Sequence, residues 1–290
     1  MNRLLAGSLS LLLSLPAIAA SSDAFTPRDV DPPIVGVDGH TVTFRSTKWT
    51  MPGVESLTAW FTANGKTFPL FSADVGADGH PDWLSPDKKT LLLDPVIFGM
   101  LSLENGEEKL ESQQHCVVIS METGCVLADR WATFCVGQWK GNQWVSEDGD
   151  VLIPTLETTS PKHLLKYASS IEPAQSRAES IESSLNFLSP ESYMACHPPA
   201  RNVQAFNDLA FHLAEGGRDE LALKFYRGVE AVGKRTVLML NIADSLWRLD
   251  RKDEAQRYYS QYRDAMSADG KAQKTPQRVV ERSVIQGMKN

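Results

Sequence analysis

The stretch FNDLAFHLAEGGRDELALKFYRGVEAVGKRTVLMLNIADSLWRLDRKDEAQRYYSQYRDAM, residues 206–266, states one pattern twice. Leu209, Ala210 and Leu213 are followed by Ala222 and Tyr226. Thirty-three residues further on, Ile242, Ala243 and Leu246 are followed by Ala255 and Tyr259 at the same internal spacings. Residues three, four and seven apart share one face of a helix, so each set is an apolar stripe. Small alanines at the points of close approach, with bulky residues around them, suit two antiparallel helices stacked together. The spacing predicts four helices, over 203–215, 219–231, 236–249 and 252–266. Gly216-Gly217 follows the first of them, in keeping with the preference for glycine just past a helix end. Met239, Ile242, Ala243 and Leu246 form the core stripe of the third.

A 33-residue helix-pair period with this signature resembles the tetratricopeptide repeat (TPR), a helical solenoid. In that resemblance Phe206, Leu209, Ala210, Leu213, Ala222 and Tyr226 fall on the signature positions of one repeat. Met239, Ile242, Ala243, Leu246, Ala255 and Tyr259 fall on those of the next. The departures are Lys234 and Ser267, where a proline commonly ends the repeat, and Phe206 and Met239 at the usual Trp position. The resemblance implies protein binding, with ligand-facing residues on the first helix of each pair. Projected here, that face carries Asn207, Phe211 and Glu215, then Leu240, Asp244, Trp247 and Arg248. Trp247 beside Arg248 has hot-spot composition; packing of Trp247 and Phe211 against a neighbouring segment is the competing expectation. Thr275-Pro276 starts a last helix that would cap the stack, within a basic tail (270–290) carrying Lys271, Lys274, Arg278, Arg282 and Lys289.

Working outward, residues 155–200 are rich in Ser, Glu and Pro and read as a linker with one helix, Ile181, Leu185 and Leu188 being helically spaced after Pro173. Pro190, Pro198 and Pro199 read as breaks before the repeats. Residues 34–154 carry strand and hairpin signals instead. Strands are expected over 40–45, 57–61, 66–71, 90–93, 98–103, 116–120 and 125–128, with Asn64-Gly65 as a hairpin turn. Trp139 and Trp144 bracket another hairpin. Ser85 to Lys89, followed by Thr90-Leu91-Leu92-Leu93, resembles the turn-and-strand phrase of β-propeller blades, but the segment has no room for a closed propeller. The fold class expected is therefore α+β in two domains: an N-terminal antiparallel sheet or sandwich (34–154) and a C-terminal TPR-like α-helical solenoid (201–269).

Arg3, the apolar run 4–15, Pro16 and Ala17-Ile18-Ala19 read as a cleavable secretion signal over 1–19, followed by a polar leader over 20–33. The apolar run is too short to span a bilayer, and no later stretch is apolar enough. A periplasmic location follows as an expectation. There Cys116, Cys125, Cys135 and Cys196 would form two disulfides, with Cys196 tying the linker to the β-region and the pairing left open. The competing use, a metal site from His115-Cys116 and Cys196-His197, is disfavoured because adjacent strand residues point to opposite faces. Asp74, Asp78, Gly79 and Asp82 hint at a calcium loop, but Gly76 and Ser85 stand where ligands are needed.

Net charge is −7, which argues against nucleic acid as a partner. No catalytic motif or phosphate-cradling loop is present. The expectation is a non-enzymatic, cofactor-free protein binding another periplasmic or envelope protein, as adaptor or assembly factor. Two alternatives are an immunity protein that occludes a secreted toxin, and a carbohydrate-binding or hydrolytic β-domain using Trp60, Trp83, Trp131, Trp139 and Trp144.

Overall fold

The structure is a computed structural model and describes residues 28–29, 32–48, 55–72, 75–103 and 106–283. The secretion signal and nearly all of the leader expected from the sequence lie outside these residues. So does Asp74 of the acidic loop.

The N-terminal half is built from antiparallel strands. The first sheet holds β1 (Arg28–Asp29), β2 (Ile34–Val35), β3 (Thr41–Lys48), β4 (Glu55–Ala63) and β5 (Lys66–Pro69). Its order is β1-β3-β4-β5, with β2 also on β3. The β4–β5 turn is Asn64-Gly65, both residues at positive φ (51° and 74°), as a two-residue hairpin requires. The second sheet, in the order β6-β7-β8-β9, holds β6 (Val75–Asp78), β7 (Thr90–Ser102), β8 (Glu108–Ser120) and β9 (Val126–Trp131). A separate hairpin joins β10 (Gly137–Lys140) to β11 (Gln143–Ser146).

The part of the second sheet around 91–93 and 116–119 is buried on both faces, which explains its continuous apolar runs. Leu91, Leu93, Val117 and Ile119 face Val42, Phe44, Ala59 and Phe61 of the first sheet. The alternate residues Leu92, Cys116, Val118 and Ala128 pack on Phe134, Cys135, Trp144 and Leu152. The two strands expected over 90–93 and 98–103 are one strand, β7, carried through Pro95. Its pairing with β8 runs from Thr90↔Ser120 to Ser102↔Glu108 and skips Asp94-Pro95, where proline has no N–H to offer. β8 begins eight residues before the expected strand, because its first half is exposed and polar and lacks an apolar alternation.

The helices are α1 (Pro161–Ala168), α2 (Ala174–Ser184), α3 (Pro190–Cys196), α4 (Pro199–Glu215), α5 (Asp219–Glu230), α6 (Thr236–Arg248), α7 (Lys252–Ala268) and α8 (Gln277–Arg282). Segment 155–200 thus carries three helices rather than the single one expected. Two of the prolines read as breaks are helix starts, Pro190 of α3 and Pro199 of α4; Pro161 likewise opens α1, and Ser160 and Ser189 cap α1 and α3, their hydroxyls accepting from the backbone N–H of His163 and Ser192.

Phe206, Leu209, Ala210, Leu213, Ala222 and Tyr226, and then Ile242, Ala243, Leu246, Ala255 and Tyr259, are all buried in one helical core. Met239 is only partly buried against it. α4 packs on α5, α6 on α7, and α5 on α6, so the two pairs lie in series. α2 precedes α4 in the stack and α8 follows α7.

The junction between sheets and helices is closed by the turn after α2. Asn186 takes a left-handed conformation (φ 56°), and Phe187 and Leu188 then enter the core between the two sheets. The Ser72 N–H donates to Phe187 O (2.8 Å) and the Ser189 N–H to Leu70 O (3.1 Å). Two disulfides are present. Cys116–Cys135 staples β8 to the segment before β10, and Cys125–Cys196 ties the start of β9 to the end of α3. They fit an extracellular or periplasmic protein. Among the described residues, no helix is long and apolar enough to cross a membrane, and no group of three His, Cys, Asp or Glu could hold a metal.

Candidate functional site

Of the seven residues projected onto a partner-binding face, Glu215 is taken up by Arg177 and His212 (3.4 and 3.1 Å), and the other six divide into three groups. Arg248, the last residue of α6, is committed within the fold. Its guanidinium grips Asp219 in the first turn of α5, Nε donating to Oδ2 at 2.9 Å and Nη2 to Oδ1 at 2.7 Å. The Asp219 side chain is only 6% exposed, and its hydrogen bonds hold the Arg248 guanidinium pKa above its ordinary value. An acid at the start of α5 also meets the positive end of that helix.

Asp244 and Trp247 are covered by the chain itself. The Asp244 carboxylate accepts from Tyr259 OH (2.7 Å) and from Arg278 Nε and Nη2 (3.1 and 2.9 Å). Arg282 lies over the Trp247 ring, 4.5 Å from its centroid, and its Nη1 donates to Tyr259 OH at 2.8 Å. Tyr259 also packs edge-on to Trp247. Burial, with the Asp244 carboxylate accepting its proton, pushes the Tyr259 phenol up to about 12. The basic tail expected to cap the stack therefore has a specific seat, with Arg278 and Arg282 of α8 on Asp244 and Trp247.

Asn207, Phe211 and Leu240 form the third group. Asn241 Nδ2 donates to Asn207 Oδ1 at 3.2 Å, joining the α4 and α6 faces. Leu240 is partly buried against the helical core. Phe211 is 43% exposed, and Val237 on α6, which the sequence reading did not single out, is 63% exposed. Val237 could have been found, because it stands 33 residues after the exposed Gln204, as Leu240 stands after Asn207.

A cleft of about 270 Å³ lies where the helices meet the edge strand β9, lined by Asp129, Glu157, Asn186, Phe187 and Tyr193 among others. His115 Nδ1 donates to Asp129 Oδ1 (2.9 Å), and Asn186 Nδ2 reaches Asp129 Oδ2 at 3.5 Å. Arg130 pairs with Glu157 through two 2.5 Å contacts, which hold the Glu157 carboxyl below its ordinary range. His115 Nε2 is buried, with its ring packed on Phe187 (centroids 5.1 Å apart), so it does not open into the cleft as a base. The cluster joins β8, β9 and the α2–α3 turn.

The five tryptophans offered as a sugar platform are dispersed. Trp144 is buried with its Nε1 donating to Phe134 O (2.8 Å), Trp139 stacks edge-on against it, and Arg45 covers the Trp60 ring. Trp83 is partly buried against the β-cores. Of the five only Trp131 is broadly exposed, at 74%.

No protein-family model, curated protein or solved structure matches this chain.

Proposed function

We propose that this is an exported, non-enzymatic protein-binding protein, a TPR-like adaptor or assembly factor of the periplasm, whose contact surface is the joined face of α4 and α6. The observation that supports this reading most is the pair of apolar side chains left open on the first helix of each repeat, Phe211 and Val237. They stand on a face whose other residues, Asn207 and Asn241, are tied together across the two helices. Exposed aromatic and aliphatic anchors with a polar surround are the usual composition of an interface centre.

The test is affinity capture from an envelope extract with the full chain, beside a Phe211→Ala, Val237→Asn variant of unchanged thermal midpoint. A protein retained by the native chain and lost with the variant supports the reading, and a secreted toxin among such proteins would make the role one of immunity. Capture that is indifferent to both substitutions refutes it.

A further inference from the structure

We propose that the terminal face of the helical stack, made by Asp244, Trp247 and Tyr259, is a docking surface for a basic helix, and that α8 is its intramolecular occupant. The inference rests on the reading of the stack as a protein-binding surface, but its test addresses only the α8 seat, so the two can fail separately.

α8 has six residues. A helix so short has no stability of its own in water, so its form comes from the surface it lies on. That surface grips it at few points. Val279 is its single fully buried side chain, while Val280 is 52% exposed. Arg278 and Arg282, one turn apart, supply the rest through Asp244, Tyr259 and the face of Trp247. At the far end, Ser260 Oγ of α7 donates to Ser283 O at 3.2 Å and Arg263 Nη1 to Ser283 Oγ at 3.1 Å. Chain-terminal elements held this way open at the lowest free energies in a fold.

The seat itself is specific. A carboxylate, an indole and a phenol converge on two guanidiniums, combining charge-assisted hydrogen bonds with cation–π contacts. Val279 stands 33 residues after Leu246, which stands 33 after Leu213, and all three are buried. α8 thus occupies the place where the first helix of a further pair would stack. A partner helix carrying two arginines one turn apart around a small aliphatic residue recovers the contacts to Asp244, Tyr259 and Trp247 and the buried place of Val279. Being tethered, α8 competes at a high effective concentration and admits only such a partner.

The probe is a fluorescently labelled peptide of residues 275–290. Arg278→Gln with Arg282→Gln in the full chain removes the grip of α8, and Asp244→Asn added to that variant removes the seat. The peptide should bind the double variant at least about tenfold more tightly than the native chain, the native α8 being the competitor. The bound peptide should shift Trp247 emission, and the Asp244→Asn addition should abolish binding. Equal binding to native chain and variant, or none to a variant with native far-UV dichroism, overturns the proposal. Should the variant fail to fold, amide exchange on the native chain decides: exchange at residues 277–282 as slow as in α6 and α7, or unchanged by excess 275–290 peptide, overturns it, and faster exchange there that rises further with excess peptide supports it.

Discussion

Replacing Arg248 by Met separates a structural role from a binding role at the residue most prominent on the projected face. The substitution leaves the Asp219 carboxylate, 6% exposed, without the Arg248 guanidinium, its one guanidinium partner among the described residues. Removing one partner of a fully buried pair costs about 3–5 kcal/mol. Arg248, however, is itself 48% exposed, so water reaches the site and the figure must be reduced. The α5 N-terminus continues to stabilise the carboxylate by roughly 0.3–1 kcal/mol. A loss of about 1–2 kcal/mol remains, which for a chain of this size lowers the thermal midpoint by roughly 2–4 °C. Thermal denaturation followed at 222 nm measures it, with Asp219→Asn and the double variant completing a cycle. Coupling of roughly 1 kcal/mol between the two positions is expected for groups in direct contact. An unchanged midpoint, or additive single effects, would refute the clamp and return Arg248 to the partner-binding face.

Cys125–Cys196 closes 71 residues, and replacing both by Ala should cost about 4 kcal/mol by the chain-entropy argument, measured by urea unfolding. The sheet and helix signals, joined through this bond, should also separate into two transitions. Gly124→Ala should destabilise by about 2–3 kcal/mol, since φ is +75° and a Cβ would stand 2.5 Å from Phe61 Cδ1. Gly141→Ala, at φ +63° with nothing within 4 Å, should cost only about 1 kcal/mol. Burial pushes the His197 imidazole below its ordinary value, outweighing an opposing contact with Thr158. The unfolded chain then binds the extra proton, so stability present above about pH 6.5 falls as pH drops below it. Thermal midpoints at pH 7.5 and 5.5 should differ less in His197→Gln than in the native chain; an equal difference would remove His197 from the effect.

The helical region was legible because its residues repeat a physical demand. A 3.6-residue period with alanines at close approaches describes α4 to α7 almost to the residue, from 203–215 against Pro199–Glu215 to 252–266 against Lys252–Ala268. α1 and α3 escaped because helices of one to two turns carry too few apolar positions to show a period; Pro190 reads as a break when the capping Ser189 before it is left out, and Ser160-Pro161 is the same start signal for α1. The exposed half of β8 escaped for the opposite reason, since a polar strand half lacks an apolar alternation. On the candidate face, one helix's spacing shows which side chains share a side but not what lies against them. Asp219 reaches Arg248 across 29 residues and Arg278 reaches Asp244 across 34, and neither pairing has a local signature.

The same long-range contacts bear on how the protein could bind. Phe187 and Leu188 are anchored between the sheets, Ser189 and Ser192 hydrogen-bond to the backbone of Leu70, Pro69 and Gly124, and Cys125–Cys196 closes the same seam. The helices are therefore fastened to the β-layers at the end where α3 meets α5, and the α4–α6 face is held before any partner arrives. A surface preorganised in this way would spend little of its contact energy on ordering, which is what the proposed contact around Phe211 and Val237 requires of a patch so small. The opposite end of the stack, under α8, is held by one valine and two arginines. Rigidity at the seam and a short terminal helix are thus what the two proposals rest on: one fixed contact face, and one that an incoming helix would open.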